Sequence, residues 1–229
     1  MIKSPSNYLL VVLLTSYFFL THFAYAVSKS ASDPYAGKYE LVTPPQPTTT
    51  PDKVEIVELF WYRCPHCYSF EKFLRKTSWL QKKPDYAEFT HMPAVFDQDK
   101  WIPLAKAYYV AESLGVLDKV HLPIFAAIHD RRRNMNSEPA LQKLFNEYAG
   151  ISQEDFTKTY NSFAIATKIS RAKEMTTRYG ITGVPVVIVN GKYRLNSEKT
   201  DGYENMMLII DYLVEKEHTI MKAAHSGHK

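Results

Sequence analysis

From Val54 to Phe60 the chain reads VEIVELF, apolar and mostly β-branched apart from two glutamates. That is the pattern of a strand buried at the centre of a sheet. At Pro65 the period changes: Cys67, Phe70 and Leu74 recur at helical spacing. Pro65 itself suits a first helical position, where its missing N–H costs nothing, so a helix is predicted from Pro65 to about Arg75. Helical periodicity returns over Ala105 to Leu114, closed by Gly115 as a C′ glycine. The next helix can be capped by Asp118, with Leu122 and Phe125 in phase and Pro123 inside its first turns. Glu138 to Tyr148, Ser152 to Tyr160 and Ala164 to Tyr179 follow, the last ending at Gly180. A second apolar run, Val186 to Val189, leads into the Asn190-Gly191 hairpin signal and Lys192 to Leu195, predicting two antiparallel strands. Asn205 to Glu217 is an amphipathic closing helix. A short first strand is expected near Tyr39-Glu40-Leu41, joined to the central one by the Pro/Thr-rich connector Thr43 to Pro51.

Strands at both ends with helices between them predict an α/β chain carrying a helical insertion, since Cys67 to Pro185 is far longer than one strand and one helix require. With 45% hydrophobic and 14% aromatic residues, the chain can build a sizeable core without disulfide staples. The N-terminus is set apart. Lys3 is the one Lys or Arg before Lys29, the apolar run from Leu9 to Leu20 is about 12 residues, against the roughly 20 that span a bilayer, and Ala24-Tyr25-Ala26 ends in a small-x-small site. This reads as a cleaved secretory signal peptide over residues 1–26. The net charge of +4 is mild, and its one dense cluster, Arg131-Arg132-Arg133, has no interleaved aromatics. A solvated loop is expected there rather than a nucleic-acid patch.

Export changes the meaning of RCPHCY, residues 63–68, which holds both cysteines of the chain. A bridge closing so short a loop removes little entropy from the unfolded chain, so a purely structural role is poorly motivated. Metal binding through Cys64, His66 and Cys67 lacks the fourth ligand that structural zinc wants, and His218, His225 and His228 read as a mobile tail; no metal is expected. A redox pair fits best. Cys64 falls at the helix N-cap and Cys67 one turn in. Unpaired N–H groups and the partial positive charge of the helix start favour a thiolate at Cys64, which makes it the accessible nucleophile and a good leaving group. Cys67 is the shielded resolving thiol, and His66 can add a hydrogen bond or positive charge to the Cys64 sulfur. A stabilised thiolate stabilises the reduced form, so the motif predicts an oxidising protein. Glu58 shares a strand face with Val54, Ile56 and Phe60. Either it escapes to water at the strand end, or it is a buried acid that relays a proton to or from Cys67. For Val184-Pro185, only about 5–6% of X–Pro bonds are cis, so the residues alone favour trans.

RCPHCY after an apolar strand, then Gly183-Val184-Pro185, an apolar strand and Asn190-Gly191-Lys192-Tyr193, closely resembles the DsbA family of periplasmic thiol–disulfide oxidoreductases. LGVLDKVHLPIF within Ala105 to Ile128, and DFTKTYNSF within Ile151 to Phe163, look like that family's helical region. The resemblance covers roughly residues 35–217. It implies a thioredoxin fold with an inserted all-helical domain: a first thioredoxin part over 27–97, the insertion over 98–170, the second part over 171–217 and a tail over 218–229. It implies a dithiol oxidase that donates its Cys64–Cys67 disulfide to newly exported thiol proteins, with catalytic Cys64, Pro65, His66, Cys67 and Glu58. Pro185 should be cis and face Cys64, and the Val184 backbone should pair with an extended substrate. No cofactor beyond the redox-active disulfide is implied, and re-oxidation would come from a DsbB-like membrane quinone oxidase. Glu58 maps onto the family's buried acid, which some members pair with a lysine on the next strand. Glu88 to Pro93 offers no lysine; Phe89 is expected at that place, with His91 as a possible substitute. No nucleic acid is expected as partner, and a monomer is anticipated. The alternatives are a disulfide isomerase or reductase of the same fold, for which the dimerisation domain is lacking, and a non-redox holdase using exposed Trp61 and Met92.

Overall fold

A computed structural model describes residues 33–226. The leader expected over residues 1–26, and His228, lie outside the described residues. One unit begins at Gly37 and holds every element named below. Its five strands are β1 (Glu40–Leu41), β2 (Val54–Phe60), β3 (Ala87–Pro93), β4 (Val186–Val189) and β5 (Tyr193–Leu195). They form one sheet in the order β1-β5-β4-β2-β3. All seven residues of β2 are buried, because it is flanked on both edges: β3 pairs with it in parallel and β4 antiparallel. The parallel pairing demands a crossover, which is made by α1 (Pro65–Thr77) and the short α2 (Trp79–Lys82). The β4–β5 connection is the predicted hairpin. Asn190 and Gly191 both take positive φ, 50° and 66°, as a two-residue type I′ turn requires. A Cβ on Gly191 would lie 2.0 Å from the Gln46 carbonyl oxygen, so glycine is also demanded by the close approach of the connector.

Between β3 and β4 lie a 3₁₀ turn (Asp99–Trp101) and five helices: α3 (Ile102–Ser113), α4 (Leu117–His129), α5 (Glu138–Ala149), α6 (Gln153–Tyr160) and α7 (Phe163–Arg178). At the start of α6 Ser152 is the N-cap, and its Oγ accepts the Asp155 N–H at 3.1 Å. For α4 the expected Asp118 cap is not found: the N-cap is Val116 without a side-chain bond, and Asp118 sits inside the first turn, where its charge still suits the helix start. The expected junction at 170/171 falls within the unbroken α7. Ile165 packs into the cluster shared by the helices and the redox motif, whereas Met175 packs with Val57, Leu59 and Ile188 on the other face of the sheet. A continuous helix, not a linker, therefore returns the chain to the sheet.

The closing helix α8 runs over Tyr203–Ser226, well beyond the predicted end at Glu217. The residues expected as a tail from 218 are helical to Ser226, and His218 stacks on Tyr86 with ring centroids 3.7 Å apart. The pattern misled because Glu217, polar in sequence, is fully buried. It accepts hydrogen bonds from Asn190 Nδ2 at 2.6 Å, Lys192 Nζ at 2.5 Å and Tyr193 OH at 2.9 Å, tying α8 to the hairpin. Among the described residues no helix is long and apolar enough to cross a membrane.

Candidate active site

β2 delivers the chain to the motif, and the Cys64 N–H closes a turn onto the Trp61 carbonyl at 2.9 Å. Cys64 is the N-cap of α1 in an extended conformation, and its Sγ accepts the Cys67 N–H at 3.4 Å. The physical reason is the one read from sequence: the first N–H groups of a helix lack partners, and a side-chain acceptor at the N-cap takes one. Pro65 occupies the first turn. The Val184–Pro185 bond is cis, as the family resemblance implies and contrary to the trans form that the residues alone favour. It brings Val184 to the motif, where the Cys64 thiol donates to the Val184 carbonyl at 3.2 Å. Beside this contact a cavity of about 440 Å³ is lined by His66, Gly183, Val184, Pro185 and Arg194.

Both cysteines are free thiols; Cys64 keeps 8% of its surface and Cys67 none. The hydrogen bond with the Cys67 thiol is the largest influence on Cys64. With the Cys67 and His66 backbone N–H groups and the His66 side chain, it outweighs burial and lowers the Cys64 pKa from 9.0 to about 6. Cys67 goes the other way. Burial, then its hydrogen bond to Cys64 and the charge of Glu58, push its thiol well above the ordinary range. His66 is exposed, and its carbonyl accepts the Tyr203 hydroxyl at 2.9 Å.

Beneath Cys67 lies a polar floor that sequence reading reached only in part. Glu58 does not escape to water: it is fully buried, and neither carboxyl oxygen has a hydrogen-bond partner. Burial, reinforced by the charge of Glu71, raises its pKa well above the ordinary carboxylate range. Its neighbour on β3 is His91, not Phe89, because the pairing starts at Val54 with Ala87 and sets Phe89 opposite Ile56. His91 Nε2 lies 3.3 Å from Glu58 Oε2 but directs its hydrogen bond to Glu71 Oε1 at 2.5 Å. His121 Nε2 approaches the same Glu71 oxygen at 3.4 Å, and its Nδ1 meets the Tyr62 hydroxyl at 2.7 Å. Burial alone would raise the Glu71 carboxyl, but His121 and His91 overcome it and hold the pKa well below the ordinary range. Glu71 and His121 were not singled out in the sequence. For Glu71 a signal existed: it stands on the buried stripe of α1 with Cys67, Phe70 and Leu74, where a carboxylate demands a partner.

Glu71, His91 and His121 offer ligand atoms within 4.8 Å of one another. Ligands around a tetrahedral zinc at ~2.0–2.2 Å stand about 3.3 Å apart, so the 2.5 Å contact between His91 and Glu71 is a hydrogen bond rather than the edge of an ion site. Trp61 and Met92 are not the open apolar platform a holdase reading asks for. Both pack against the core, Trp61 on Trp101 with centroids 3.8 Å apart.

A family model described as a DSBA-like thioredoxin domain matches residues 55–209. The thiol:disulfide interchange protein DsbA of Pseudomonas aeruginosa is 38% identical over 199 residues, covering 86% of this chain and 92% of that protein. The protein of the same name from Burkholderia cepacia is 34% identical over 189 residues, covering 82% and 87%. The crystal structure of Pseudomonas aeruginosa DsbA superposes with a TM-score of 0.75 at 37% identity, covering 82% of this chain and 95% of that one. The oxidoreductase DsbA from Xylella fastidiosa gives 0.72 at 29% identity, covering 79% and 95%. A sheet interrupted by five helices, a thiol at a helix N-cap against a cis-proline, and relatives alike over most of their length lead to one conclusion: the chain belongs to the DsbA family of thiol:disulfide oxidoreductases.

Proposed function

We propose that Cys64 is the nucleophilic thiol and Cys67 the resolving thiol of this dithiol oxidase, with the Cys64–Cys67 disulfide as its sole redox group. A substrate thiolate attacks the Cys64 sulfur, and Cys67 departs as a thiolate that takes up a proton. A second substrate thiolate then attacks the substrate sulfur of the mixed disulfide, and Cys64 departs as the leaving group. The substrate loses two electrons to its new disulfide, and the protein is left as the dithiol. The observation that carries this reading is the asymmetry of the pair: a Cys64 pKa lowered to about 6 makes it the better leaving group, whereas the Cys67 thiol is pushed up and holds its proton. His66 adds to the stabilisation of the Cys64 thiolate, and Pro65 starts the helix that provides the N–H groups. Glu58, whose carboxyl burial pushes well above the ordinary range, is the acid that gives Cys67 its proton.

Val184 and Pro185 form the substrate edge. An extended peptide pairing with the Val184 backbone would set its cysteine beside Cys64, in the manner of strand addition. The substrates are newly exported proteins with free thiols, and a DsbB-like membrane quinone oxidase restores the disulfide. The periplasm follows from the leader pattern of residues 1–26 together with the family. Replacing Cys64 by serine is expected to abolish oxidation of a dithiol peptide, and full activity in that variant overturns the reading. Equilibration with glutathione tests the direction: a potential well above the glutathione couple is expected, and a thioredoxin-like one would make the protein a reductase.

A further inference from the structure

Arg63, the residue before Cys64, borders a second cavity of about 360 Å³, lined also by Arg132, Arg133, Asn134 and Asn136. Its apolar floor is Met135, 2% exposed, and Ile128. Both cavities are lined by a residue of the redox motif: Arg63, just before Cys64, borders this one, and His66 borders the other. No acidic residue lines the second.

The arginine run of the sequence is divided by the fold. Arg131 lies over the Tyr148 ring at 5.8 Å, and Arg133 reaches Glu147 only at 3.8 Å, with both side chains partly exposed. Arg132 makes no ion pair among the described residues, and its φ of 51° places it in the left-handed region. The loop is fixed on the end of α4, with the Arg131 N–H bonded to Ala126 O at 3.1 Å and the Arg133 N–H to Ala127 O at 2.8 Å. Asn134 Oδ1 accepts the Asn136 N–H at 3.1 Å, while Asn136 Oδ1 is buried without a donor. The cavity therefore offers three guanidinium groups: Arg63 and Arg132 make no ion pair among the described residues, and Arg133 is held only loosely by Glu147.

We infer that this cavity is a subsite for a carboxylate-bearing segment of the substrate polypeptide flanking the cysteine bound at Cys64. This rests on the exchange reaction assigned to Cys64. Guanidinium groups match carboxylates in geometry as well as charge, and a basic cavity beside the nucleophile raises the encounter rate of acidic segments above that of neutral ones.

The test is stopped-flow oxidation of paired thiol peptides that differ by Glu or Gln on either side of the cysteine, using the disulfide form of the protein. The glutamate peptide is expected to react on the order of fivefold faster at low ionic strength, the scale of an exposed ion pair, with the advantage shrinking as salt is added. Arg132→Gln should bring the ratio close to one, and Arg132→Glu should shift preference toward a lysine peptide. Because the ratio of two rates is read, a general loss of activity cancels. Equal rates for the two peptides with the unsubstituted protein overturn the inference, as does a glutamate preference that survives Arg132→Glu. Oxidation of neither peptide overturns the exchange reading and this one together.

Discussion

The solvent-facing start of α1 and the buried floor beneath it treat the same side chain in opposite ways. Cys64 and Cys67 stand one turn apart, yet one thiol is lowered to about 6 and the other pushed well above the ordinary range. At the helix start, N–H groups converge on a sulfur that still touches solvent. One turn in, the sulfur is sealed from water and near Glu58, so charge is penalised. The floor repeats this opposition in its carboxylates: two imidazoles hold Glu71 well below the ordinary range, and burial pushes Glu58, its neighbour without hydrogen-bonded partners, well above it. Burial pushes every one of these groups toward its neutral form, and only where donors converge, on Cys64 and Glu71, is that push overcome.

The largest effect should come from removing the one anion on which the floor is built. Glu71→Gln takes the carboxylate from His91 and His121, and disrupting a buried charged network of this kind costs about 3 kcal/mol or more. The sign follows from linkage. The folded pKa of Glu71 is depressed, so its contribution is present above the ordinary value of 4.5 and lost as pH falls through the folded one. Denaturant unfolding of the variant is therefore expected to show its full loss at neutral pH and a smaller one in acid. A loss under 1 kcal/mol at neutral pH would mean that Glu71 is not the ionised member of the pair.

A smaller effect is expected at the helix start. The Cys64 thiolate has a depressed folded pKa, so its contribution is present above the unfolded value near 9.0 and lost as pH falls through about 6. The disulfide form has no such group. The stability of the reduced form relative to the oxidised one should therefore rise by about 2 kcal/mol between about pH 6 and pH 8, discounted for a sulfur that is partly in contact with solvent. Paired thermal melts of the two forms check this. A flat difference would remove the contrast between the two thiols.

The legibility of these regions in the sequence differed in the same way. Whatever depends on local period was readable: the buried strand with Glu58 inside it, Cys64 at a helix N-cap, the Asn190-Gly191 hairpin, and the helices between the strands. Contacts made across elements were not. The place of His91 beside Glu58 depends on a register that begins at Val54 with Ala87, and a shift of two residues sufficed to put Phe89 there instead. His121 reaches the floor from α4, and nothing in its own neighbourhood announces that. The end of α8 was missed because Glu217 looks like a surface residue until Asn190, Lys192 and Tyr193 are seen around it. The cis Val184–Pro185 bond came from family resemblance, not from the residues.

The smallest expected effect is also the one of reversed sign. Glu58 has a folded pKa above its ordinary value, so any advantage of its protonated form is complete below about 4.5 and is lost as pH rises toward the folded pKa. At neutral pH the folded protein must hold a proton that the unfolded chain releases, which destabilises the fold. Glu58→Gln removes that titration but leaves an amide whose own donors are poorly satisfied, since neither carboxyl oxygen has a hydrogen-bond partner. The two terms partly offset: a net gain of about 1 kcal/mol is expected at neutral pH, turning into a small loss in mild acid, where only the cost of the amide remains. Unfolding of the variant and the parent across pH 4 to 8 gives the answer, with both proteins reduced. A destabilised variant at neutral pH would mean that Glu58 is ionised in the fold, with His91 as its counter-charge. The acid beneath Cys67 would then have no proton to give, and the departing thiolate would have to take its proton from water.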